Sequence, residues 1–368
     1  MHILITTDTI GGVWTYTQEL ATGLLRRGIK VTLVSFGEIP SPEQTEWMDG
    51  LANLDFRATG FPLEWMQEGQ RDIAASQEYL KAVIAEVGPD LLHFNQYCYA
   101  ALAPELPRIV VAHSDVISWW RAVHNADPPT TQWLKWYREQ IQTSIATADA
   151  LIAPSRWMLE SLRKIYGDPN NGTVIHNGRT PARFNPDIPK ESLALSVGRI
   201  WDSGKQTTLL CRQDLPLDVV IAGCGDHPEL ALRNAVTVSP IPRMRLLGKQ
   251  SETQLRQLLG RASIYAATSR YEPFGLAPVE AALSRCALLM NDIPVFRELW
   301  GDAAYYFEHN RGESLRGELA QLHQDSALRS SFASRAYERA RRLFNTDRMV
   351  SEYLDLYRVL AAQHIAAA

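Results

Sequence analysis

Short apolar runs alternate with amphipathic helical patterns along the chain, and this alternation restricts the fold more than any other feature of the sequence. Residues 3–6 form the first apolar run, and a helical pattern follows at residues 13–27. Gly28 is placed to end that helix in a left-handed conformation, and residues 29–36 form the next apolar run. A strand, a helix and a second strand in this order are the building block of a parallel sheet. Further strands are predicted at residues 91–94, 109–112, 151–153 and 174–175.

The segment at residues 178–189 interrupts this pattern, and we interpret it as an interdomain linker. It carries Pro181, Pro186 and Pro189 and has little apolar periodicity. The alternation then begins again. We therefore predict an α/β protein of two doubly wound parallel-sheet (Rossmann-like) domains, with a ligand-binding cleft between them. The domains are predicted at residues 1–180 and 190–345, with strands of the second at 193–197, 219–222, 264–267 and 287–290 and a last helix at 346–368.

The bulk properties exclude several classes of protein. The formal net charge is −4 and the sequence pI is about 6.2, whereas proteins that bind the nucleic-acid backbone are usually basic, so we expect no nucleic-acid partner. The chain begins without a signal-peptide pattern, and no apolar run approaches the roughly 18 residues of a membrane span. We expect a cytoplasmic protein without an integral membrane segment; peripheral membrane contact through a local basic patch stays open, and the oligomeric state is not indicated.

The strongest chemical signal is the segment at residues 272–280, which follows a predicted strand and opens a helix. Glu272 and Glu280 stand eight positions apart, and Gly275 and Leu276 lie between them at the predicted helix start. A glycine at a helix N-terminus lets a phosphate approach backbone N–H groups that have no partner within the helix. A glutamate two turns further on could accept hydrogen bonds from ribose hydroxyls. The pattern therefore indicates a nucleotide site.

This segment resembles the signature of the retaining family 4 glycosyltransferases, which have the two-domain GT-B fold. The signature is a pair of glutamates separated by seven residues, commonly with Pro-Phe-Gly after the first, and this chain has Pro273, Phe274 and Gly275 there. The resemblance implies that the last helix packs back on the N-terminal domain. It also implies that the N-terminal domain is on the acceptor side and that the C-terminal domain binds the nucleotide sugar.

The resemblance assigns roles to the residues of the motif. Glu272 is expected to contact the hydroxyls of the donor sugar, which makes it a catalytic candidate, and Glu280 is expected to bind the ribose. Gly275 and Leu276 would offer backbone amides to the diphosphate, and Phe274 belongs to the same donor-binding group. The alternative is an ordinary surface helix with two solvated glutamates.

A second loop supplies two cations. Arg199 and Lys205 follow the predicted strand at residues 193–197. A leaving nucleoside diphosphate gains negative charge as the glycosidic bond breaks, and fixed cations stabilise that charge. In the family an arginine and a lysine at this place do this work, so both residues are catalytic candidates. Many members have a slightly shorter spacing between them and a glycine after the lysine, where this chain has Gln206.

Two features of the N-terminal half resemble donor-site elements of the family. Gly11 and Gly12 follow the first strand, as does the glycine-rich loop that closes over the donor phosphates. They do not match the G-x-G-x-x-G fingerprint, which disfavours a nicotinamide oxidoreductase. His113 directly follows the predicted strand at residues 109–112, where a family histidine binds the donor sugar near the reacting carbon, so it is a further catalytic candidate. A plain turn at the glycines and a packed structural histidine are the alternatives.

The remaining candidates are a turn, a lysine and an aromatic pair. Gly223 and Gly225 resemble the Gly-x-Gly turn after the second strand of the family's C-terminal domain, and Lys249 lies where the family contacts the base. Trp119 and Trp120 are candidates for binding the acceptor, because aromatic faces stack on sugar rings and on aromatic aglycones. Packing in the core is the alternative for either tryptophan.

These features together predict a retaining hexosyltransferase that moves a sugar from a nucleotide-diphosphate sugar to an acceptor hydroxyl, on a sugar or on an aromatic or other small molecule. No cofactor other than the donor substrate and no metal are expected, because Arg199 and Lys205 can neutralise the diphosphate and no Asp-x-Asp motif is evident. The alternatives are a sugar-nucleotide epimerase on the same fold and a non-catalytic nucleotide-sugar binding module. The sequence does not indicate the donor base, the donor sugar or the acceptor.

Overall fold

The computed structural model describes residues 1–169, 171–212, 214–225 and 241–367, and they divide into two compact units. The first unit comprises Met1–Ser118, Asp127–Gly178 and the chain from Thr346 onwards. The second unit comprises Arg179–Asn345 and a short segment of the N-terminal half, Trp119–Ala126. The main change from one unit to the other thus falls between Gly178 and Arg179, within the proline-containing segment.

A parallel sheet of seven strands forms the centre of the first unit as far as the structure describes it. The strands are β1 (His2–Asp8), β2 (Lys30–Phe36), β3 (Leu54–Ala58), β4 (Leu91–Phe94), β5 (Arg108–Val111), β6 (Ala150–Ala153) and β7 (Gly172–Val174). They lie in the order β3-β2-β1-β4-β5-β6-β7, and all pairings are parallel. The central β1 is buried along its whole length, as expected for a sheet that helices cover on both faces.

Helices connect these strands. They are α1 (Gly12–Leu25), α2 (Pro42–Thr45), α3 (Gln70–Val87), α4 (Val116–His124), α5 (Gln132–Thr147) and α6 (Arg156–Tyr166). The predicted stop after α1 is confirmed: Gly28 has a φ of +76°, and an added Cβ would meet no atom within 4 Å. Glycine is therefore favoured there by backbone conformation and not by lack of space.

The second unit repeats the architecture with six parallel strands within the described residues. They are β8 (Glu191–Val197), β9 (Asp218–Ala222), β10 (Met244–Leu246), β11 (Ala262–Ala267), β12 (Ala287–Asn291) and β13 (Tyr305–Phe307), in the order β10-β9-β8-β11-β12-β13. The helices are α7 (Glu252–Arg261), α8 (Leu276–Leu283), α9 (Pro294–Trp300), α10 (Gly312–Gln324) and α11 (Ser326–Leu343). The predicted fold class, two doubly wound parallel sheets, is confirmed.

The last helix, α12 (Thr346–Ala367), packs within the first unit. Thr346 Oγ1 donates to Glu19 Oε2 at 2.6 Å, and Tyr357 Oη lies 2.6 Å from His93 Nδ1. A Cβ added at Gly23 would lie 2.5 Å from a methyl carbon of Val350, so a glycine on α1 allows the two helices to approach closely. No helix within the described ranges is long and apolar enough to cross a membrane.

Three strands are missing from the sequence predictions: β3, β10 and β13. Each of them is an edge strand of its sheet. β10 and β13 have three residues each, and β3 contains no fully buried residue. An edge strand has a neighbour on one side only, so its residues do not form the long apolar run on which the predictions relied.

Candidate active site

The strand order of the second sheet changes direction between β8 and β11, and the loops after these two strands carry predicted site residues. Arg199 and Lys205 follow β8, and Glu272 follows β11. In doubly wound sheets ligands bind beside such a point, outside the carboxyl ends of the strands. The fold thus brings the cations of the loop after β8 and the glutamate of the loop after β11 to the carboxyl ends of the strands, where a ligand is expected.

Lys205 and Glu272 form a direct ion pair between these two loops. Lys205 Nζ lies 2.5 Å from Glu272 Oε2, and Ser269 Oγ donates to the same oxygen at 3.3 Å. The loops are also joined through their backbones, since the amide of Arg270 donates to the carbonyl of Gly204 at 2.9 Å. Both charged side chains are partly buried, so the pair is shielded from solvent more than a surface pair would be.

The residue after the lysine has a left-handed backbone conformation. Gln206 has a φ of +49°, in the left-handed region that favours glycine. This is the position at which many family members carry a glycine. In this chain a glutamine adopts the left-handed conformation, and Lys205 reaches Glu272 with the additional residue in the loop.

Arg199 is held by an aspartate that the sequence analysis did not identify. Arg199 Nη2 lies 2.8 Å from Asp202 Oδ2, and the guanidinium carbon lies 5.0 Å from the centre of the Trp201 ring. The side chain of Arg199 is 38% exposed. Burial alone would raise the pKa of Asp202, but the charges of Arg199 and Lys205 and its hydrogen bonds bring that pKa below its usual value.

The glycine turn after β9 lies against the loop after β8. A Cβ added at Gly223 would lie 1.7 Å from the carbonyl oxygen of Gly198, so no larger residue fits without moving one of the loops. The amide of Gly223 also donates to the carbonyl of Gly248 at 2.8 Å, and the exposed Lys249 follows directly. Gly225 is exposed and has open space around its Cα.

Glu280 lies on α8 and is paired with a buried arginine. Glu280 Oε1 lies 2.9 Å from Nε of Arg179, a residue only 1% exposed. Nη2 of Arg179 also lies 3.1 Å from Oε1 of Glu252. Arg179 was not predicted, because it stands in the segment interpreted as a linker. Burial would raise the pKa of Glu252, but Arg179 and Arg183 bring it below its usual value.

α8 begins at Leu276, the position predicted for the helix start. Gly275 has a φ of +92°, and an added Cβ would lie 3.1 Å from Glu272 Cγ. The amides of the first turn, which begins at Leu276, have no partner within the helix. Phe274 is buried, and its ring centre lies 5.3 Å from that of Phe344 in an edge-to-face arrangement. The side chain of Phe274 thus packs in the interior of the unit.

His113 is partly buried and belongs to a polar cluster of the first unit. Its Nε2 is 2.8 Å from Asn95 Oδ1, while Asn95 Nδ2 donates to the carbonyl of Thr6 at 2.6 Å. This orientation of Asn95 requires a proton on His113 Nε2 and leaves Nδ1 as an acceptor. Burial lowers the pKa of His113 to about 3, so the ring is neutral at pH 7. Sequence reasoning missed Asn95, which directly follows β4.

The predicted glycine-rich loop lies after β1. Gly11 precedes α1 with a φ of +86°, and Gly12 is the first residue of that helix; both are exposed. The loop is closed by a hydrogen bond from the amide of Ile10 to Asp8 Oδ1 at 2.6 Å. In the first sheet the strand order reverses between β1 and β4. The glycine pair and the residues after β4 therefore lie at the carboxyl ends of the strands beside this reversal, as Arg199, Lys205 and Glu272 do in the second sheet.

The two predicted acceptor tryptophans are partly exposed and lie on the part of α4 that belongs to the second unit. Trp119 Nε1 donates to Asp202 Oδ1 at 3.0 Å. The ring centre of Trp120 lies 4.1 Å from that of His124. Trp119 is thus hydrogen-bonded to the aspartate that pairs with Arg199.

A cavity of about 290 Å³ lies beside Asp202 within the second unit. Its lining consists of Val123, His124, Ile200, Asp202, Ser203, Gln206, Thr207, Thr208 and Arg270, and none of the sequence-predicted site residues is among them.

Across the described ranges, no group of three or more histidine, cysteine, aspartate or glutamate side chains could hold a metal ion.

Comparison with protein-family models gives two consecutive matches. Residues 10–183 match the family described as Glycosyltransferase Family 4, and residues 183–339 match the family described as Glycosyl transferases group 1. Among curated proteins, the chain is 25% identical over 299 residues to an alpha-maltose-1-phosphate synthase of Mycobacterium tuberculosis, covering 72% of this chain and 76% of the relative. It is 24% identical over 358 residues to a phosphatidyl-myo-inositol mannosyltransferase of Mycolicibacterium smegmatis, covering 91% of this chain and 87% of the relative.

Solved structures share the fold. Sucrose-phosphate synthase from Thermosynechococcus elongatus superposes with a TM-score of 0.80 at 18% identity, over 100% of both chains. The Anabaena protein HepE in complex with UDP and glucose superposes with a TM-score of 0.74 at 14% identity, over 98% of this chain and 100% of HepE.

Proposed function

Because the chain belongs to the family 4 glycosyltransferases, we propose that it transfers a sugar from a nucleotide-diphosphate sugar to an acceptor hydroxyl, with retention of configuration and without a divalent metal ion. The observation that carries this proposal is the contact of 2.5 Å between Lys205 and Glu272. These residues come from the loops after the neighbouring parallel strands β8 and β11. A cation for the diphosphate and a carboxylate for sugar hydroxyls thus meet at the sheet edge that binds ligands.

The charges and backbone of the second unit support a nucleotide-diphosphate donor. Arg199 and Lys205 can neutralise the two phosphates, and the first-turn amides of α8 after Gly275 can donate to them. Solved structures of HepE contain UDP and UDP-glucose, and one relative is a mannosyltransferase. UDP-glucose and nucleotide-activated mannose are therefore the first donors to test, and the acceptor is a sugar or small-molecule hydroxyl.

Retention is supported by the engagement of both motif glutamates with cations. Glu272 is paired with Lys205 and Glu280 with Arg179, which disfavours either as the nucleophile of a double displacement. In the mechanism proposed here, the acceptor oxygen attacks the anomeric carbon from the face that the diphosphate leaves. The bond from that carbon to the phosphate oxygen breaks, and this oxygen takes the acceptor's proton. The neutral His113 positions the sugar.

Metal independence is supported by the presence of two fixed cations on the loop after β8. As the diphosphate leaves, its developing charge can be neutralised by Arg199 and Lys205, which is the work that a divalent ion performs in metal-dependent transferases.

The test is an assay of nucleoside diphosphate release with each donor, followed by proton NMR of the fresh product, with and without a chelator. We expect the product to keep the donor's anomeric configuration and the rate to be unaffected by the chelator. Lys205→Ala should lower the rate by roughly 10²-fold. An inverted linkage would reject the mechanism, and restoration of a chelated enzyme by magnesium or manganese would reject metal independence. An isomerised donor without transfer would indicate an epimerase instead.

A further inference from the structure

Asp202 is an almost fully buried charge whose two oxygens have different partners. Oδ1 accepts hydrogen bonds from Trp119 Nε1 at 3.0 Å and from the amide of Gly204 at 2.8 Å. Oδ2 faces Arg199 Nη2 at 2.8 Å. The side chain is 6% exposed. Two neutral donors therefore fix the carboxylate through one oxygen and leave the other to bind the arginine.

We propose that Asp202 is a positioning residue that holds the guanidinium of Arg199 in place for the leaving diphosphate, and that Trp119 orients Asp202 for this purpose. The proposal rests on the proposed function, in which Arg199 stabilises the charge of the leaving group. Asp202 itself acts through Arg199 and is not expected to contact the donor.

The exposure of Arg199 is the reason that a positioning partner is needed. A long arginine side chain loses rotamer entropy when it is fixed, and Arg199 is 38% exposed. A cation stabilises a developing charge best when it is already oriented before the reaction. Asp202 supplies that orientation from the same loop, three residues further on, and its own position is fixed from a distant part of the chain through Trp119.

Two other roles for Asp202 predict different kinetics. If Asp202 only lowered the positive charge of the site, its neutralisation would strengthen donor binding and leave turnover intact. If it only stabilised the loop, its neutralisation would matter little, because Asp202→Asn retains an oxygen that can accept from Trp119 and Gly204. A positioning role requires the charge on Oδ2, so it predicts a loss in kcat with little change in the donor KM.

The first experiment compares Asp202→Asn, Arg199→Ala and the double variant of the full chain, with the donor and acceptor that give turnover. Asp202→Asn should lower kcat by about tenfold and change the donor KM by less than about threefold. In the Arg199→Ala background the same substitution should cause no further loss, because its effect passes through Arg199. The matched control is Asp292→Asn, which breaks a comparable pair with Arg297 on the surface of the same unit.

Trp119→Phe separates the indole N–H from the aromatic ring. It should lower kcat by a few fold and leave the acceptor KM unchanged. If Trp119 instead stacked on the acceptor, the substitution would raise the acceptor KM. Thermal unfolding of each variant, together with its circular dichroism, shows whether the loss reflects unfolding. Full kcat in a folded Asp202→Asn protein would overturn the positioning role alone. Unchanged turnover in Arg199→Ala would overturn the role of Arg199 as well, and with it the proposed charge stabilisation.

Discussion

At the scale of single residues, burial decides the protonation of two neighbouring histidines of the first unit. His93 and His113 both lie within hydrogen-bonding range of Asn95 Oδ1, at 3.3 and 2.8 Å. Burial lowers the pKa of each ring to about 3, and for His93 the neighbouring His113 lowers it further. Both rings are therefore neutral at the pH at which the enzyme is expected to act, and His113 can donate one hydrogen bond while accepting another.

The low pKa of His113 predicts a pH dependence of stability. The unfolded chain binds a proton at this residue below about pH 6.5, whereas the folded chain stays neutral down to about pH 3. The free energy of unfolding should therefore fall as the pH falls through this window, by up to about 1.4 kcal/mol per pH unit for one histidine. His113→Gln keeps a donor near the position of Nε2. It should reduce this slope by the amount that corresponds to the uptake of about one proton on unfolding.

Urea unfolding between pH 4.5 and pH 7.5 measures this slope. The control is His309→Gln, which makes the same replacement at an exposed histidine outside the cluster around Asn95. An unchanged slope in His113→Gln would show that His113 is protonated to the same extent in the folded and unfolded chains.

The sequence could identify the motif residues but not their long-range partners. The motif places Glu272 and Lys205 at strand ends, and the sheet brings these ends together. Asp202 and Trp119 are separated by 83 positions, and no local pattern indicates that they meet. The same holds for Arg179, whose partners Glu252 and Glu280 lie on later helices. Such contacts are consequences of tertiary packing and leave no periodic signal in the chain.

At the scale of elements, the interior strands could be predicted, whereas of the four edge strands only β7 was predicted, from a short run that overlaps it at Val174. β1, β8 and β11 are flanked by strands on both sides, and burial on both faces gives each of them a continuous run of buried residues. The loops after these strands were located correctly for the same reason. Their internal conformation depends on close approaches between loops, such as that of Gly223 to Gly198, which composition does not indicate.

The close approach of Gly223 to Gly198 predicts that a larger residue at position 223 destabilises the loops after β8 and β9. Gly223→Ala would place a Cβ within 1.7 Å of the carbonyl oxygen of Gly198, so the loop that carries Arg199 and Lys205 must move. We expect the free energy of unfolding to fall by about 2 kcal/mol or more and nucleoside diphosphate release to fall with it. The control is Gly317→Ala on α10, where an added Cβ meets no atom within 4 Å and alanine favours the helix. If Gly223→Ala retained the wild-type stability, the close approach of the two loops would be wrong.

At the scale of the whole molecule, the two units offer the same kind of edge to a ligand. In each sheet the strand order reverses beside the first strand of that sheet in the chain, which is β1 in the first unit and β8 in the second. In the second unit the loops beside this point carry Arg199, Lys205 and Glu272, whereas in the first unit they carry the glycine pair and Asn95. The cations proposed to bind a diphosphate thus lie in the second unit, whereas the glycine pair and Asn95 in the first unit are uncharged.

This division predicts where a nucleotide will change the dynamics of the protein. Hydrogen–deuterium exchange with UDP, and separately with GDP, should show slower exchange at residues 198–206 and 268–278, because a bound phosphate restrains the loops after β8 and β11 and the first turn of α8. Exchange in α10 and α11, which carry none of the predicted site residues, should stay the same.

Two comparisons make this prediction specific to the diphosphate. Uridine or guanosine alone should protect residues 198–206 less than the corresponding diphosphate, because Arg199 and Lys205 then have no phosphate to bind. Lys205→Ala should reduce the protection by the diphosphate, since it removes one of the two cations, while a surface change such as Lys81→Ala in the first unit, a lysine paired with Glu78, should not. Equal protection by nucleoside and nucleoside diphosphate would mean that the loop after β8 does not contact the phosphates, and the catalytic roles proposed for its cations would then have to be abandoned.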